Sequence, residues 1–403
     1  MDRRSFFKYA SFSGAITAFF GGLHPALALT WQKIGTTSGG GATKIRLPYK
    51  KNRMQGGGVI AAGSHSLALR SDGLVFACGR NQYGQLGNNS IVNKSSYVQT
   101  TGVSYVVALA AGKHHSLALR SDGLVFATGY NGEGELGINS VISQSTYVQA
   151  LGVSNVVALA SGIYHNLALR SDGKVFACGY NNHGQLGVSS IVNKSTYVQT
   201  TGVSNVVALA AGSYHSLALR SDGLVFAAGY NSKGQLGIGS TQDTSTYIQV
   251  VGVSNVVALA AGNEHSLALR SDGLIFACGY NDLGMLGDNS IVSKLTYVST
   301  VGVSNVIALA AFYNSSLALR SDGLVFASGD NGAGELGCNS VVNKSIFTQT
   351  TGVSNVLAIA VGSEFCLALR SDGLVFGCGY NTFGGPGDYS VVNKSTFIQL
   401  LTP

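Results

Sequence analysis

The chain has 403 residues, of which 45% are hydrophobic and only 11% charged, and 55 are glycine. This composition favours many short strands joined by tight turns over helices. Of the 25 basic and 18 acidic residues, nine basic and one acidic lie in residues 1–53, which leaves 16 basic and 17 acidic residues in the rest. Because that body has no surplus of Lys and Arg, we predict no nucleic-acid partner.

The first 28 residues have the features of an export signal. Residues 3–8 read Arg-Arg-Ser-Phe-Phe-Lys, residues 9–23 are apolar or small, and residues 26–28 read Ala-Leu-Ala. The segment resembles a bacterial twin-arginine signal with an Ala-x-Ala cleavage site. Asp2 stands where that family usually has Ser or Thr. The resemblance implies cleavage after residue 28, export to the periplasm or the medium, and no membrane contact after cleavage.

Residues 29–56 lie between this signal and a long repeat array. The glycine-rich residues 38–41 predict a flexible link. Either residues 30–35 or residues 44–47 could add a strand to the array or replace one, whereas residues 396–401 could complete the last repeat unaided. The sequence leaves these alternatives open.

Residues 57–403 contain one motif seven times. The sequence Leu-Ala-Leu-Arg-Ser-Asp-Gly recurs every fifty residues and begins at Leu67, Leu117, Leu167, Leu217, Leu267, Leu317 and Leu367. A unit that cannot bury its apolar face alone must stack on its neighbours. An open solenoid would need atypical polar repeats at its ends, and the last copy is nearly as regular as the others. We therefore predict a closed ring.

One repeat, residues 201–250, reads as four strands. Strand A is Val206–Ala211, strand B is His215–Arg220, strand C is residues 224–228 and strand D is residues 247–250. Ser-Asp-Gly between strands B and C predicts a tight turn, because Asp-Gly readily supplies positive φ. Four antiparallel strands in each of seven units predict an all-β, seven-bladed β-propeller.

Several motifs of each repeat together resemble a known family. They are Ala-Gly-x-x-His-Ser, Asp-Gly, and Gly-Tyr-Asn-x-x-Gly-Gln-Leu-Gly, as at residues 179–187. They are similar to the regulator of chromosome condensation repeat, whose members form seven-bladed propellers, over about residues 57–401. In this chain the aromatic residue that often precedes Gly-x-Asn is replaced by Cys, Ala, Ser or Thr.

The six cysteines predict no disulfide framework. Four occupy one repeat position, which holds Thr, Ala or Ser in the other copies, so the position requires a small side chain. Cys366 and Cys378 lie on adjacent strands, and their offset from the turn places them on opposite faces in our interpretation. Cys338 lies in a loop with no evident partner.

Two loops per repeat vary between copies, and both leave the same face of a blade. The dipeptide after strand A and the middle of Asn-x-x-Gly change in almost every copy, with Tyr, His, Asn, Phe and Glu among them. Unselected loop drift is one explanation; a surface that binds another protein is the other. The residues that we predict for partner contact are Tyr83, His114, Glu133, Tyr164, His183, Tyr214, Lys233, Glu264, Leu283, Phe312, Tyr313, Phe365 and Phe383.

Catalytic and metal sites are not indicated. The family resemblance implies that the recurring His65, His115, His165, His215 and His265 are structural and tie loop to blade. The remaining candidates for acid or base chemistry lie on different blades, and no spacing marks a pair. We predict no enzyme activity, no metal and no cofactor.

The sequence thus favours a monomeric, exported propeller that binds another protein. Secreted bacterial members of the family include an inhibitor of β-lactamases, so the resemblance implies an enzyme inhibitor. One alternative is a carbohydrate-binding, lyase or hydrolase propeller acting at the central depression. A second is nucleotide exchange on a small GTPase, as in the nuclear family member, which the export signal and the neutral body disfavour.

Overall fold

The computed structural model describes residues 60–400, and within them it contains strands and turns but no helix. Accordingly, no helix of this part of the chain is long and apolar enough to cross a membrane. The predicted export signal, residues 1–28, and the predicted additional strand in residues 29–56 lie outside the described residues.

The described residues form seven four-stranded antiparallel sheets, which confirms the predicted seven-bladed propeller. Each sheet consists of four consecutive strands that correspond to strands A to D of one repeat. The first four blades are β1–β4 (Ile60–Ala62, His65–Leu69, Val75–Gly79, Lys94–Gln99), β5–β8 (Val106–Ala111, His115–Arg120, Val125–Gly129, Gln144–Gln149), β9–β12 (Val156–Ser161, His165–Arg170, Val175–Gly179, Lys194–Gln199) and β13–β16 (Val206–Ala211, His215–Arg220, Val225–Gly229, Thr244–Gln249). The last three are β17–β20 (Val256–Ala261, His265–Arg270, Ile275–Gly279, Lys294–Ser299), β21–β24 (Val306–Phe312, Ser315–Arg320, Val325–Gly329, Lys344–Gln349) and β25–β28 (Val356–Val361, Phe365–Arg370, Val375–Gly379, Lys394–Gln399).

Strands A and B have the predicted bounds, whereas strands C and D differ by one to three residues. In the fourth blade, the amide of Arg220 donates to the carbonyl of Leu224 at 2.9 Å, and Gly223 has φ +80°. Leu224 therefore belongs to the turn. Strand D starts at Thr244 because this polar residue pairs with Gly229 beyond a register irregularity.

The core lies between blades rather than within them. Leu217 and Val225 of the fourth blade, for example, share one buried cluster with Val256 and Leu259 of the fifth. Strand A of each blade lies beside strand A of both neighbours, so the seven A strands line the centre of the ring. Their small alanines fit the limited space there.

The first and seventh blades close the ring by side-by-side packing. Ile60 and Ala62 share a buried cluster with Ala358 and Leu367, and the amide of Ser363 donates to the carbonyl of Gly63 at 2.8 Å. Within residues 60–400, every blade is therefore completed by strands of its own repeat.

The predicted placement of Cys366 and Cys378 on opposite faces is wrong. The hairpin of the seventh blade pairs Leu369 with Val375, and the same register places Cys366 directly opposite Cys378. Residues that face each other in an antiparallel pair point to the same side of the sheet. Both side chains are fully buried.

Candidate functional site

The A–B and C–D loops lie together on one face of the ring. In the fourth blade, the amide of Tyr230, at the start of the C–D loop, donates to the carbonyl of Tyr214 in the A–B loop at 2.8 Å. The equivalent bond from Tyr180 to Tyr164 measures 2.9 Å. We call the surface formed by these loops the variable face.

A buried asparagine holds each C–D loop in place. Asn181 has no exposed surface; its Nδ2 donates to the carbonyls of Ser190 at 2.8 Å and Val192 at 3.2 Å, and its Oδ1 accepts from the amide of Leu186 at 2.9 Å. An asparagine occupies this position in all seven repeats. The loops are therefore anchored, and their variable residues project from a fixed backbone.

Aromatic side chains of the first four blades touch one another in sequence across the variable face. The ring of Tyr83 lies 5.2 Å from that of His114 and 5.1 Å from that of Tyr130. The rings of Tyr130 and Tyr164 are 6.3 Å apart, and those of Tyr164 and Tyr214 are 6.2 Å apart. We call this connected set the aromatic arc: Tyr83, His114, Tyr130, Tyr164, Tyr180, His183, Tyr214 and Tyr230.

Three members of the arc, Tyr130, Tyr180 and Tyr230, are not among the contact residues predicted from the sequence. They belong to the recurring Gly-Tyr-Asn, and the prediction drew only on loop positions that change between repeats. The available signal was that the same position holds Arg80 in the first repeat and Asp330 in the sixth. A position that accepts Arg, Asp and Tyr is not fully buried, and its residues are half-buried in the structure.

The arc encloses a shallow depression lined by Tyr130, Glu133, Tyr164, Tyr180 and Tyr214. Oε2 of Glu133 accepts a hydrogen bond from Nδ2 of Asn193 at 2.6 Å, so the carboxylate is held at the edge of the aromatic rings. Burial raises the pKa of Tyr130 and Tyr214, the charge of Glu135 adds to the shift of Tyr130, and both hydroxyls are donors at neutral pH.

Two blades that are not neighbours contact each other across the centre of the variable face. Nζ of Lys113, in the second blade, donates to the hydroxyl of Tyr313, in the sixth, at 3.4 Å and lies 5.2 Å from the centre of its ring. A second depression beside this bridge is lined in part by Arg80, Glu364 and Phe383. Burial raises the pKa of Glu364, and the charge of Asp330 adds to this.

Two predicted contact residues are not on the surface. Phe312 is 2% exposed and Phe365 is 3% exposed, so neither ring is available to a partner and their prediction as surface anchors is corrected. Phe312 packs with Ile163 in a cluster at the centre of the ring. Phe365 fills space next to Gly385, where a Cβ atom would lie only 3.0 Å from the phenylalanine ring.

The other eleven predicted residues belong to loops of the variable face, and five of them are members of the arc: Tyr83, His114, Tyr164, His183 and Tyr214. Burial, together with the charges of Lys113 and Arg80, lowers the pKa of His114 to about 3, so its imidazole is neutral. Lys233 is exposed and its Nζ lies 5.5 Å from the centre of the Tyr280 ring. Three of the remaining residues are half-buried, and no ring contact joins them to the arc: Glu264, Leu283 and Phe383.

The recurring histidines join blade to blade, whereas the family resemblance implied that they tie loop to blade. Nε2 of His215 lies 2.9 Å from Oγ of Ser266 in the next blade. Burial lowers the pKa of His215 to about 3, so the ring is neutral. Among residues 60–400, no group of three or more His, Cys, Asp or Glu side chains could hold a metal ion.

The fold and the loop-borne face define the class of protein: a seven-bladed repeat propeller with an aromatic surface on one side. Residues 30–340 match the RCC1-like domain, and residues 356–384 match the regulator of chromosome condensation (RCC1) repeat. The chain belongs to the RCC1-like domain family.

Solved structures of similar fold include Prp20p from Saccharomyces cerevisiae, with 24% identity, a TM-score of 0.74, and coverage of 83% of this chain and 88% of that one. Yeast RCC1 (Prp20) in its complex with Kap60 has 21% identity, a TM-score of 0.74, and coverage of 89% of both chains. Human WBSCR16 has 22% identity, a TM-score of 0.75, and coverage of 82% of this chain and 95% of that one. At this identity the likeness establishes the fold. No protein with a curated description matches the chain in sequence.

Proposed function

We propose that this protein is a non-enzymatic, protein-binding propeller and that the aromatic arc is its contact surface. The observation that supports this proposal is the arc itself, in which eight aromatic rings from four consecutive blades touch one another on the face whose loops differ between repeats. A binding function accords with the family and requires no catalytic group.

The arc has the properties of a binding surface prepared in advance. Tyrosine supplies large contact area with few rotatable bonds, so little conformational entropy is lost on binding. Edge and stacked contacts between the rings, such as the 5.8 Å contact of Tyr180 with Tyr214, hold them in place before a partner arrives. Tyr83, at one end of the arc, is 38% exposed. Tyrosines in such clusters are frequent energetic hot spots.

We further propose that the partner is met outside the cytoplasm and is an enzyme that the propeller inhibits. The support is the resemblance of residues 1–28 to a twin-arginine signal, together with the near-neutral charge of residues 54–403. A body without a basic surplus favours protein partners over nucleic acid.

Affinity capture tests the proposal. The protein is used as bait against periplasm and culture medium, and captured proteins are compared between the wild type and a Tyr164→Ala, Tyr214→Ala variant. We expect the specific partner to be lost from the variant, with affinity reduced at least tenfold, since truncation of a hot-spot tyrosine costs about 2 kcal/mol or more. Tyr280→Ala is the control for removal of a tyrosine from the same face, because Tyr280 lies outside the arc. Equal capture by all three proteins would contradict the proposal.

The depression within the arc supports a second candidate, carbohydrate binding. Tyrosine rings offer apolar faces on which sugars stack, and Glu133 supplies a hydrogen-bond acceptor beside them. A glycan array probed with the wild type and Glu133→Gln tests it, and the candidate requires a signal that the substitution reduces. An array without signal removes it.

Nucleotide exchange on a small GTPase is a third candidate. Its support is the similarity to Prp20p, a protein with described binding properties to Gsp1p and histones. A nucleotide-release assay on a small GTPase of the same cell tests it. This function also requires the chain to remain in the cytoplasm, which separates it from the export proposal.

A further inference from the structure

Six of the seven C–D loops expose a pair of aliphatic side chains. Each of these twelve residues has 60–69% of its surface accessible, which is unusual for Ile and Val. We call them the rim pairs: Ile91 and Val92, Val141 and Ile142, Ile191 and Val192, Ile291 and Val292, Val341 and Val342, and Val391 and Val392. The fourth blade has Thr241 and Gln242 instead.

The rim pairs are presented by ordered backbone at the outer edge of the variable face. Each pair comes two residues before strand D, the outermost strand of its blade, as Val192 does before Lys194. The carbonyl of Val192 is bound by the buried Asn181, and its amide donates to Oγ of Ser190 at 3.1 Å. The loop backbone therefore holds the aliphatic side chains outward, and their exposure is not caused by fraying of the strand end.

The arrangement of the pairs indicates the shape of their partner. Equivalent positions of a propeller are related by rotation about its central axis, so the six pairs lie on one circle in one plane. A convex globular partner would contact a few adjacent blades at most. A flat apolar layer can contact all six pairs together.

Charge next to the pairs indicates the chemistry of that layer. A lysine stands two residues after the pair in five blades: Lys94, Lys194, Lys294, Lys344 and Lys394. Lys294 and Lys394 lie 3.4 and 3.9 Å from aspartates. The other three have no ion pair within residues 60–400. Tyr389, which precedes the last pair, is 64% exposed, and tyrosine is enriched where an apolar layer meets water. Exposed aliphatic residues beside lysines are typical of segments that lie on anionic membranes.

We propose that the rim pairs and their lysines dock the propeller, variable face inward, on the surface of an anionic phospholipid bilayer. This interaction goes beyond the proposed function, because it uses the rim and not the aromatic arc. It also departs from the expectation of no membrane contact after signal cleavage. A partner bound by the arc would then be one that lies at the membrane surface.

A local probe tests which face meets the bilayer. An environment-sensitive fluorophore is placed on Val92→Cys in a Cys338→Ser background, where the remaining cysteines are fully buried. On addition of phosphatidylcholine vesicles containing phosphatidylglycerol, we expect its emission to shift to the blue. The same fluorophore on Ser221→Cys, in a B–C turn on the opposite face, is expected to show no shift. No shift at position 92, or equal shifts at both positions, would overturn the proposal.

A second experiment removes the pairs in the full chain, so that residues 1–59 contribute equally to every protein compared. The pairs of the first, third and sixth blades are replaced by the Thr-Gln of the fourth blade: Ile91→Thr, Val92→Gln, Ile191→Thr, Val192→Gln, Val341→Thr and Val342→Gln. Since membrane binding scales with buried apolar area, we expect vesicle co-sedimentation to weaken on the order of tenfold, with unchanged circular dichroism. Added salt should also weaken wild-type binding. Unchanged co-sedimentation, or a rim that instead mediates a concentration-dependent dimer without binding vesicles, would overturn it.

Discussion

Nε2 of His215 and Oγ of Ser266 lie 2.9 Å apart across the boundary between the fourth and fifth blades. The serine hydroxyl donates to the carbonyl of Gln235 at 2.7 Å, so it accepts from the histidine, whose proton is therefore on Nε2. A histidine connects each of the first five blades to its successor in this way, with a serine as partner in four of them and Asn166 as the partner of His115. The connection ends at the sixth and seventh blades, which have Ser315 and Phe365 in place of histidine.

Replacing His215 by alanine should destabilise the ring by about 1–3 kcal/mol at pH 7, because the buried bond and its packing are lost. Ser315→Ala, at the equivalent position of a blade that lacks the histidine, should cost less. Urea unfolding of both variants and the wild type measures this. Equal losses from the two substitutions would contradict a role for the histidine bond.

Acid should weaken the wild type more than His215→Ala. Burial lowers the pKa of His215 from 6.5 to about 3, so between these values the unfolded chain binds a proton that the folded chain does not. The contribution of the neutral histidine to the free energy of unfolding is therefore fully present above pH 6.5. It declines as the pH falls toward 3, by about 1.4 kcal/mol per pH unit for one such histidine. Urea unfolding from pH 7 to 4 should show a shallower decline for the variant. Parallel declines would contradict this account.

The histidines also show why the fold could be predicted from the sequence, whereas the hydrogen bonds between blades could be predicted only in part. The fifty-residue period, the Ala-rich strand A and the Asp-Gly turn each specify local structure within one repeat, and these predictions were confirmed. The partner of His215 is in another repeat, 51 residues away. A bond between copies depends on how blades stack, which periodicity alone does not specify.

Glu135→Gln should stabilise the protein at alkaline pH. Glu135 is fully buried between blades; burial and the nearby charge of Glu133 raise its pKa to about 8, despite a bond from the amide of Glu133 at 2.9 Å. The folded chain thus holds a proton between pH 4.5 and 8 that the unfolded chain releases. The contribution of Glu135 to the free energy of unfolding is therefore greatest below pH 4.5 and is lost as the pH rises through 8.

Glutamine at this position occurs naturally in three other blades, as at Gln185, whose Oε1 accepts from the amide of His183 at 3.1 Å. We therefore expect Glu135→Gln to fold normally and to gain about 1–3 kcal/mol over the wild type at pH 9. At pH 4.5 the difference should nearly vanish. Urea unfolding at the two pH values measures it, with Asp282→Asn, an exposed carboxyl on the fifth blade, as control. A gain that does not depend on pH would contradict the mechanism.

The variable face could be predicted from differences between repeats, but its contact residues could be predicted only in part. Variation identified Tyr164 and Tyr214, which the structure places in the arc. It also selected Phe312 and Phe365, which are buried. A change of residue type in a loop can mark an exposed substitution or a buried one that a second change accommodates, and the sequence does not distinguish the two. Phe365 accompanies Gly385, and this pair replaces the histidine of the first five blades and the larger side chain that every other blade has at the position of Gly385.

Thiol counting should identify one reactive cysteine in the folded protein. Five cysteines have no exposed surface, and Cys338 is half-buried. Burial also raises the pKa of the Cys78, Cys178 and Cys278 thiols, which suppresses the reactive thiolate. We expect one thiol to react with Ellman's reagent in buffer, none in Cys338→Ser, and six in denaturant after reduction. Rapid reaction of several thiols in buffer would show that the blades open.

Refolding with oxidised glutathione should lower the number of thiols that react with Ellman's reagent in denaturant from six to four. Cys366 and Cys378 face each other directly in the hairpin, so their two thiols can form one disulfide while glutathione disulfide is reduced to two thiols. Cys366→Ser restores the residue found in most other blades. This variant should show five reactive thiols in denaturant, whether or not it was refolded with oxidised glutathione. A count of six in the refolded wild type would support the sequence prediction of no disulfide.

Tyr105→Asn should stabilise the protein, although it removes a large aromatic side chain. Tyr105 has φ +56° and is 73% exposed, so its ring contributes little packing while its backbone is in the left-handed region. Five other repeats have asparagine at this position with the same φ, as Asn255 does at +55°. Asparagine tolerates this conformation better than tyrosine because its short polar side chain can bond to nearby backbone.

The expected gain is about 0.5–1 kcal/mol, measured as a higher urea midpoint with an unchanged slope. The reciprocal substitution Asn255→Tyr should lose a similar amount, because the site differs only in the blade that carries it. The turn amide of Ser121 bonds to the carbonyl of residue 105 at 3.0 Å, and this backbone bond is preserved in the variant. If Tyr105→Asn were destabilising, the exposed ring would have to make a contact that outweighs the backbone cost, and Tyr105→Ala would then be more destabilising still.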